Sequence, residues 1–143
     1  MELRYTSRTG YELSKAHNLD AGYDLPSAEN VTLAVGESRL VDTGLNIQVP
    51  PGTVGDVRTR SGLAAKHGVI VRNSPGTIDA GYTGKLMVNL KNDGNTAYHI
   101  TKGDRIAQLV VLPLAPINKT VKVDELTNPG DSRGDGGHGS SGY

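Results

Sequence analysis

The residues that could do chemistry in this chain are arginines and carboxylates set beside glycines and small hydroxyls. Asp20, Asp24, Arg58, Arg60, Asp79, Asp104, Arg105 and Arg133 all fall in turn-like contexts. Arg60 runs directly into Ser61 and Gly62, and Arg133 stands in a glycine-rich stretch ahead of Ser140 and Ser141. A guanidinium forks onto phosphate oxygens, and successive backbone N–H groups in glycine-rich chain form anion-binding nests. The acids in the same set can hold Mg2+ or activate water. Together they point to a small polyanionic ligand and to phosphate-ester or phosphoanhydride chemistry. No Walker sequence occurs, which excludes a P-loop protein. The four histidines, His17, His67, His99 and His138, lack metal-ligand spacing, and no serine sits in a nucleophile-elbow sequence.

Short β-rich runs must position these groups. The alternating runs NVTLAV, SRLVDTGLNIQV, TVGDVRT, KLMVNLK, TAYHI and RIAQLVVLPL are cut by Gly36, Pro50-Pro51-Gly52, Asn92-Asp93-Gly94-Asn95 and Lys102-Gly103-Asp104. Closely spaced strands with such punctuation predict an all-β sandwich or barrel. Asp93-Gly94 between two alternating runs predicts a hairpin there. SGLAAKHG reads as one short helix closed by Gly68.

At 143 residues the chain suits one domain. It is 36% hydrophobic with no Trp and no Phe, a modest core that oligomer contacts would reinforce. The formal charge of +0 argues against nucleic acid held by bulk charge. Without cysteine there is no disulfide and no thiol chemistry. The opening MELRYTSRTG has no signal-peptide core and no apolar run could span a membrane, so a cytoplasmic protein is expected.

The tetrapeptide DAGY occurs twice, at 20–23 and 79–82, but the flanks differ and no fixed period surrounds them, so the copies are not a repeat. From Asn128 the composition shifts to NPGDSRGDGGHGSSGY, which has no apolar face to bury. The RGD at 133–135 is an adhesion-type tripeptide that arises easily by chance.

Five ordered motifs identify a family. DAGYDL (20–25), RSGLAAKHGV (60–69), NSPGTIDAGYTGKLMVNLKN (73–92), GDRIAQLV (103–110) and RGDGGHGSSG (133–142) together resemble the homotrimeric dUTPases, deoxyuridine 5'-triphosphate nucleotidohydrolases, over nearly the whole chain. The resemblance implies a distorted jelly-roll, a β-clip type barrel, over residues 1–127, with 128–143 as a flexible arm. It also implies a homotrimer in which two subunits form each pocket and the arm of the third closes it. The implied reaction takes dUTP to dUMP and pyrophosphate by in-line attack of water on the α-phosphorus. That limits uracil incorporation into DNA and supplies dUMP for dTMP synthesis.

On the same ground Asp79 matches the water-activating aspartate, and Tyr82 the ring that packs on deoxyribose and leaves no room for a 2′-hydroxyl. Met87 and Asn73 match the uracil pocket, with backbone groups beyond Gly84 reading the base edge. Arg60, Ser61, Gly62 and Gln108 match phosphate binders, and Asp24 the aspartate that holds Mg2+ through water. Arg133, His138, Gly139, Ser140 and Ser141 match the closing arm. His138 departs from the family's usual phenylalanine, and an imidazole is smaller and can carry charge. Pro26 departs too and is expected to stiffen its loop. A sister family, the dCTP deaminases, uses a glutamate in the third motif where this chain has Asn89, which cannot shuttle a proton as a carboxylate does. A non-catalytic, dUTPase-fold binding protein is the other alternative.

Overall fold

The computed structural model describes residues 1–139, 141 and 142. Among the described residues ten strands and one helix follow in chain order: β1 (Arg4–Ser7), β2 (Tyr23–Pro26), β3 (Val31–Leu33), β4 (Ser38–Gln48), β5 (Thr53–Arg58), α1 (Ser61–His67), β6 (Val69–Val71), β7 (Gly76–Ile78), β8 (Lys85–Asn92), β9 (Tyr98–Ile100) and β10 (Arg105–Pro113). One antiparallel sheet has the order β1-β4-β8-β6, a second β2-β10-β5-β7, and β3 pairs with β9. The architecture is the single-domain, all-β jelly-roll type expected.

Strand alternation builds the core. Along β8, Leu86, Val88, Leu90 and Asn92 turn inward while Lys85 and Met87 face out. The inward residues of the first sheet meet Leu25, Val57, Ile106 and Leu109 of the second in one apolar cluster. Its largest fully buried members are leucine, isoleucine and valine, so aliphatic packing dominates the contact between the two sheets.

The helix ends as its sequence dictates. Gly68 adopts φ 67°, ψ 18°, and its N–H returns to the carbonyls of Ala64 and Leu63, the left-handed cap glycine favours. Leu63 is the buried anchor of α1, and removing its side chain would cost about 2–5 kcal/mol.

The hairpin expected at Asp93-Gly94 does not form. Strand β8 already has β4 on one edge and β6 on the other, and β9 pairs with β3 instead. The tight hairpin turn needs positive φ at both central residues, and neither Asp93 nor Gly94 has it. A buried side chain shapes this loop: Asn92 Nδ2 donates to Leu33 O (3.0 Å) and Thr96 O (2.8 Å), and Asn92 Oδ1 accepts from Gly94 N–H (2.9 Å). Gly94 then packs so closely on the His67 carbonyl that a Cβ there would overlap it.

Pro26 is also not in a loop. It is the buried last residue of β2, an edge strand of its sheet, where a missing N–H is tolerated. Strand β10 ends at Pro113, and residues 113–135 are exposed throughout. The exposed stretch therefore begins before the composition shift at Asn128. Between 114 and 127 the sequence has apolar residues, but Ile117 and Leu126 are 76% and 89% exposed; one chain offers them no core.

Candidate active site

Two clefts gather the residues singled out by sequence, and they share no wall. The first, about 300 Å³, is lined by Asn73, Asp79, Tyr82 and Met87 together with Ile78 and Asn89. The second, about 290 Å³, is lined by Asp24, Arg60, Ser61, Gly62, Gln108 and Arg105.

The first cleft follows from strand geometry. Strand β7 pairs with β5 and delivers Asp79 just beyond its last residue. A turn follows, closed by Tyr82 N–H donating to Asp79 O (3.0 Å), and the Tyr82 hydroxyl donates to Lys85 O (2.7 Å). Asp79 and Tyr82 are both exposed, one turn apart at the rim. The period of β8 brings Met87 and Asn89 to the same side two residues apart. The position at which a deaminase would need a carboxylate is thus in the cleft, and it is an amide.

The second cleft depends on a strand the sequence did not show. DAGYDL reads as a loop, yet Tyr23–Pro26 pairs with β10 and places Asp24 opposite Gln108. Gln108 in turn lies opposite Arg58 of β5. The Asp24 carboxylate stands 3.7 Å from Arg60 Nε and 3.6 Å from Arg105 Nη1. Arg60 Nη1 also donates to Arg105 O at 3.2 Å. Ion pairs this long and partly solvated are worth about 0–1 kcal/mol each, weak enough to be exchanged for a phosphate. Tyr11 supports the strand from behind, its hydroxyl donating to Asp24 O at 3.0 Å. Burial, then the Asp24 charge, raises the Tyr11 phenol above its ordinary range, so it remains a donor.

Arg60 is the N-cap of α1, extended at φ −83°, ψ 127°, without a side-chain cap. The first helical bond runs from Ala64 N–H to Arg60 O. That leaves the N–H groups of Ser61, Gly62 and Leu63 as the unspent donors of the helix start. Ser61 and Gly62 are exposed in the cleft. Gln108 Nε2 donates to Thr59 O (3.1 Å), while Thr59 N–H donates to the Ser74 hydroxyl (3.4 Å) and Thr59 Oγ1 accepts from Val71 N–H (2.9 Å). Thr59 is therefore the backbone link between the two clefts.

The sequence offers Arg105 as one of the arginines that suit a polyanionic ligand, without its place beside Asp24. Simple alternation puts positions 105 and 108 on opposite faces. The β10 register slips between Arg105 and Ala107, making Ile106 and Ala107 consecutively buried, and this bulge turns Arg105 to the side of Gln108. Gly22 was missed as well. A Cβ there would meet the Gln108 side chain, with its Cβ at 3.1 Å and Cδ at 3.2 Å. The first DAGY thus clears space for Gln108, while Asp20 accepts His17 N–H at 2.9 Å and shapes the loop. Gly81 of the second DAGY has nothing within 4 Å.

None of the described residues of the 128–143 stretch lines either cleft. Arg133 Nε donates to Gly136 O (2.8 Å) and Arg133 N–H to Asp131 Oδ1 (3.0 Å). His138, Gly139 and Ser141 are exposed; Ser140 lies outside the described residues. His67 packs on Tyr98 with ring centroids 4.8 Å apart, and His99 Nδ1 lies 3.0 Å from the Thr32 hydroxyl, so both have structural partners.

The donor set fits a metal carried mainly by its ligand. Among the described residues no three His, Cys, Asp or Glu side chains cluster as a protein cage. Asp24 is the carboxylate turned into the basic cleft, and Asp20 beside it is occupied by a backbone N–H. Mg2+ keeps several waters when it bridges phosphates, and one carboxylate suits that arrangement.

The dUTPase family model matches residues 11–142. The deoxyuridine 5'-triphosphate nucleotidohydrolase of Mycobacterium marinum is 52% identical over 132 residues, covering 90% of this chain and 86% of that protein. The protein of the same name from Crocosphaera subtropica is 47% identical over 127 residues, covering 88% and 87%. Among solved structures, the Staphylococcus bacteriophage 80alpha dUTPase with dUPNHPP superposes with TM-score 0.89 at 32% identity, covering 99% of both chains. A point variant of the dUTPase from phage phi11 of S. aureus, described as revealing the coordination of a structural Mg(II) ion, gives TM-score 0.80 at 29% identity over 90% of this chain and all of that one.

Proposed function

The chain belongs to the dUTPase family and hydrolyses dUTP, and we propose that it does so in a site assembled from the two clefts of different subunits. One observation carries this reading. Each cleft holds half of the needed groups, and the halves share no lining residue. Two others support it: the arm bearing Arg133 enters neither cleft, and apolar residues of 114–126 lie bare in the single chain. A homotrimer would join the halves, bury the bare segment and let the third subunit's arm close the site.

The division of labour follows from the groups. In the first cleft Asp79 orients and deprotonates the water that attacks the α-phosphorus, a role worth about 10²–10⁴ in rate. Tyr82 packs on the deoxyribose. Met87, Asn73 and the backbone beyond Gly84 hold uracil. In the second, Arg60, Gln108 and the N–H groups of Ser61 and Gly62 take the phosphates. The attack passes through no covalent intermediate, so positioning and charge neutralisation carry it. Asp24 would hold Mg2+ through water beside the phosphates, where the ion would supply charge neutralisation. Arg133 reaches the terminal phosphates, His138 stacks on the base, and Gly139, Ser140 and Ser141 supply backbone donors. Products are dUMP and pyrophosphate, and the cytoplasm is the compartment this reading assigns; separately, no helix of the described residues is long and apolar enough to cross a membrane.

Pyrophosphate release from dUTP, set against UTP, dCTP and dTTP, tests the specificity, and ammonia release from dCTP would instead mark a deaminase. Subunit mixing tests the composite site. Asp79→Asn and Arg60→Gln chains, each impaired alone at low dUTP, should regain activity when unfolded together and refolded as mixed trimers. No recovery would place both residues in one subunit's site.

A further inference from the structure

Tyr82 is 47% exposed, yet its ring is held. Its amide donates to Asp79 O and its hydroxyl to Lys85 O at 2.7 Å, so the chain from 79 to 85 folds the ring back over Gly84. A Cβ at Gly84 would stand 2.7 Å from Tyr82 Oη, 2.8 Å from Cζ and 3.0 Å from Cε2. All three nearest atoms belong to that ring. Gly84 itself does not have a positive φ, so an alanine backbone fits without strain. The closest conflicts fall on the far end of a rotatable side chain.

We infer that Gly84 is a positioning residue for sugar selection: the hydrogen in place of its side chain is what allows the Tyr82 ring to lie flat with its hydroxyl on Lys85 O. This rests on Tyr82 being the wall that excludes a ribose 2′-hydroxyl. A methyl at 84 displaces the ring and breaks its bond to Lys85 O. The ring then no longer holds its native place, while Asp79, upstream of the turn, keeps its own. Selectivity falls although the aromatic residue is still present.

The experiment compares Gly84→Ala, Tyr82→Ala and the double variant, measuring kcat/KM for dUTP and for UTP and the thermal transition. Gly84→Ala should lower the dUTP-to-UTP ratio by about ten- to a hundredfold, the range a pocket achieves against one added hydroxyl. Its kcat for dUTP should change far less, and its melting temperature little. The double variant should show the ratio of Tyr82→Ala alone, because both changes act through one ring. A wild-type ratio in Gly84→Ala beside a lowered one in Tyr82→Ala overturns the inference and spares the Tyr82 reading. A wild-type ratio in Tyr82→Ala overturns both. Should the Gly84→Ala chain fail to fold, Tyr82→Phe cuts the same bond to Lys85 without touching Gly84, and an unchanged ratio there counts against the inference.

Discussion

The cleft around Asp79 and the cleft around Asp24 are built in opposite ways. The first is a shaped space: β7 and β8 supply its walls, Tyr82 is fastened to its own turn, and Asp79 is open to solvent. The second is a set of charges already engaged with one another, with Asp24 between Arg60 and Arg105 and Gln108 on Thr59 O. A shaped space discriminates by exclusion and needs no rearrangement. A satisfied charge cluster binds by exchange, giving up weak internal pairs for stronger charge-assisted bonds to phosphate. The base and sugar should therefore be read by fit, and the triphosphate by substitution of partners.

The largest effect that would test this contrast is expected for Asp79→Asn. Its kcat should fall about 10²–10⁴-fold while a non-hydrolysable dUTP analogue binds near the wild-type Kd; turnover at wild-type level would move water activation elsewhere. Next, Arg60→Gln should weaken the analogue by about ten- to a hundredfold, the worth of one charge-assisted bond, with deoxyuridine binding unchanged by calorimetry. A matching loss for deoxyuridine would mean that the clefts do not divide the ligand as described. Smaller again, Gly22→Ala pushes the Gln108 side chain off Thr59 O and should raise KM for dUTP about five- to tenfold. It should leave the dUTP-to-UTP ratio alone, the mirror of Gly84→Ala.

The smallest effect lies outside both clefts. Hydrogen bonds from Arg8 (2.7 and 2.9 Å), aided by Gly44 N–H, hold the Asp42 carboxyl below its ordinary range. A carboxyl lowered on folding stabilises above its unfolded pKa, about 3.9, and that stability is lost as pH falls through the folded value. Asp42→Asn should then melt about 1–3 °C lower at pH 7, with the gap closing below pH 4. A gap that persists in acid would assign the effect to packing.

The readable parts of the sequence were those whose cause is local. The long alternating runs became β4, β5, β8 and β10 nearly to the residue, because a period of two over six or more residues can satisfy only a half-buried strand. Gly68 closed α1 because only its left-handed backbone returns an N–H to the last turn. The strands the sequence does not announce, β1, β2, β6 and β7, are three or four residues long and, unlike the equally short β3 and β9, lie in no longer alternating run. Of the site, the acids, arginines and Tyr82 are legible by type and motif, Arg105 without its partner, while Gly22 and Thr59 are not. Their parts come from a bulge, a neighbour's side chain and a carbonyl, none of which has a spelling.

By itself the sequence determined an aliphatic all-β core, one capped helix and a phosphate-directed set of acids and arginines, since propensity, period and residue chemistry act within a few positions. Tertiary structure alone decided that β8 has both edges filled, so Asp93-Gly94 makes no hairpin. It likewise decided that Asp24 rides a strand opposite Gln108, and that the two spellings of DAGY enter different clefts. Those outcomes depend on which distant segments hydrogen-bond and on how much room a neighbour's side chain leaves. Both are settled through space, by pairing and packing, between residues tens of positions apart.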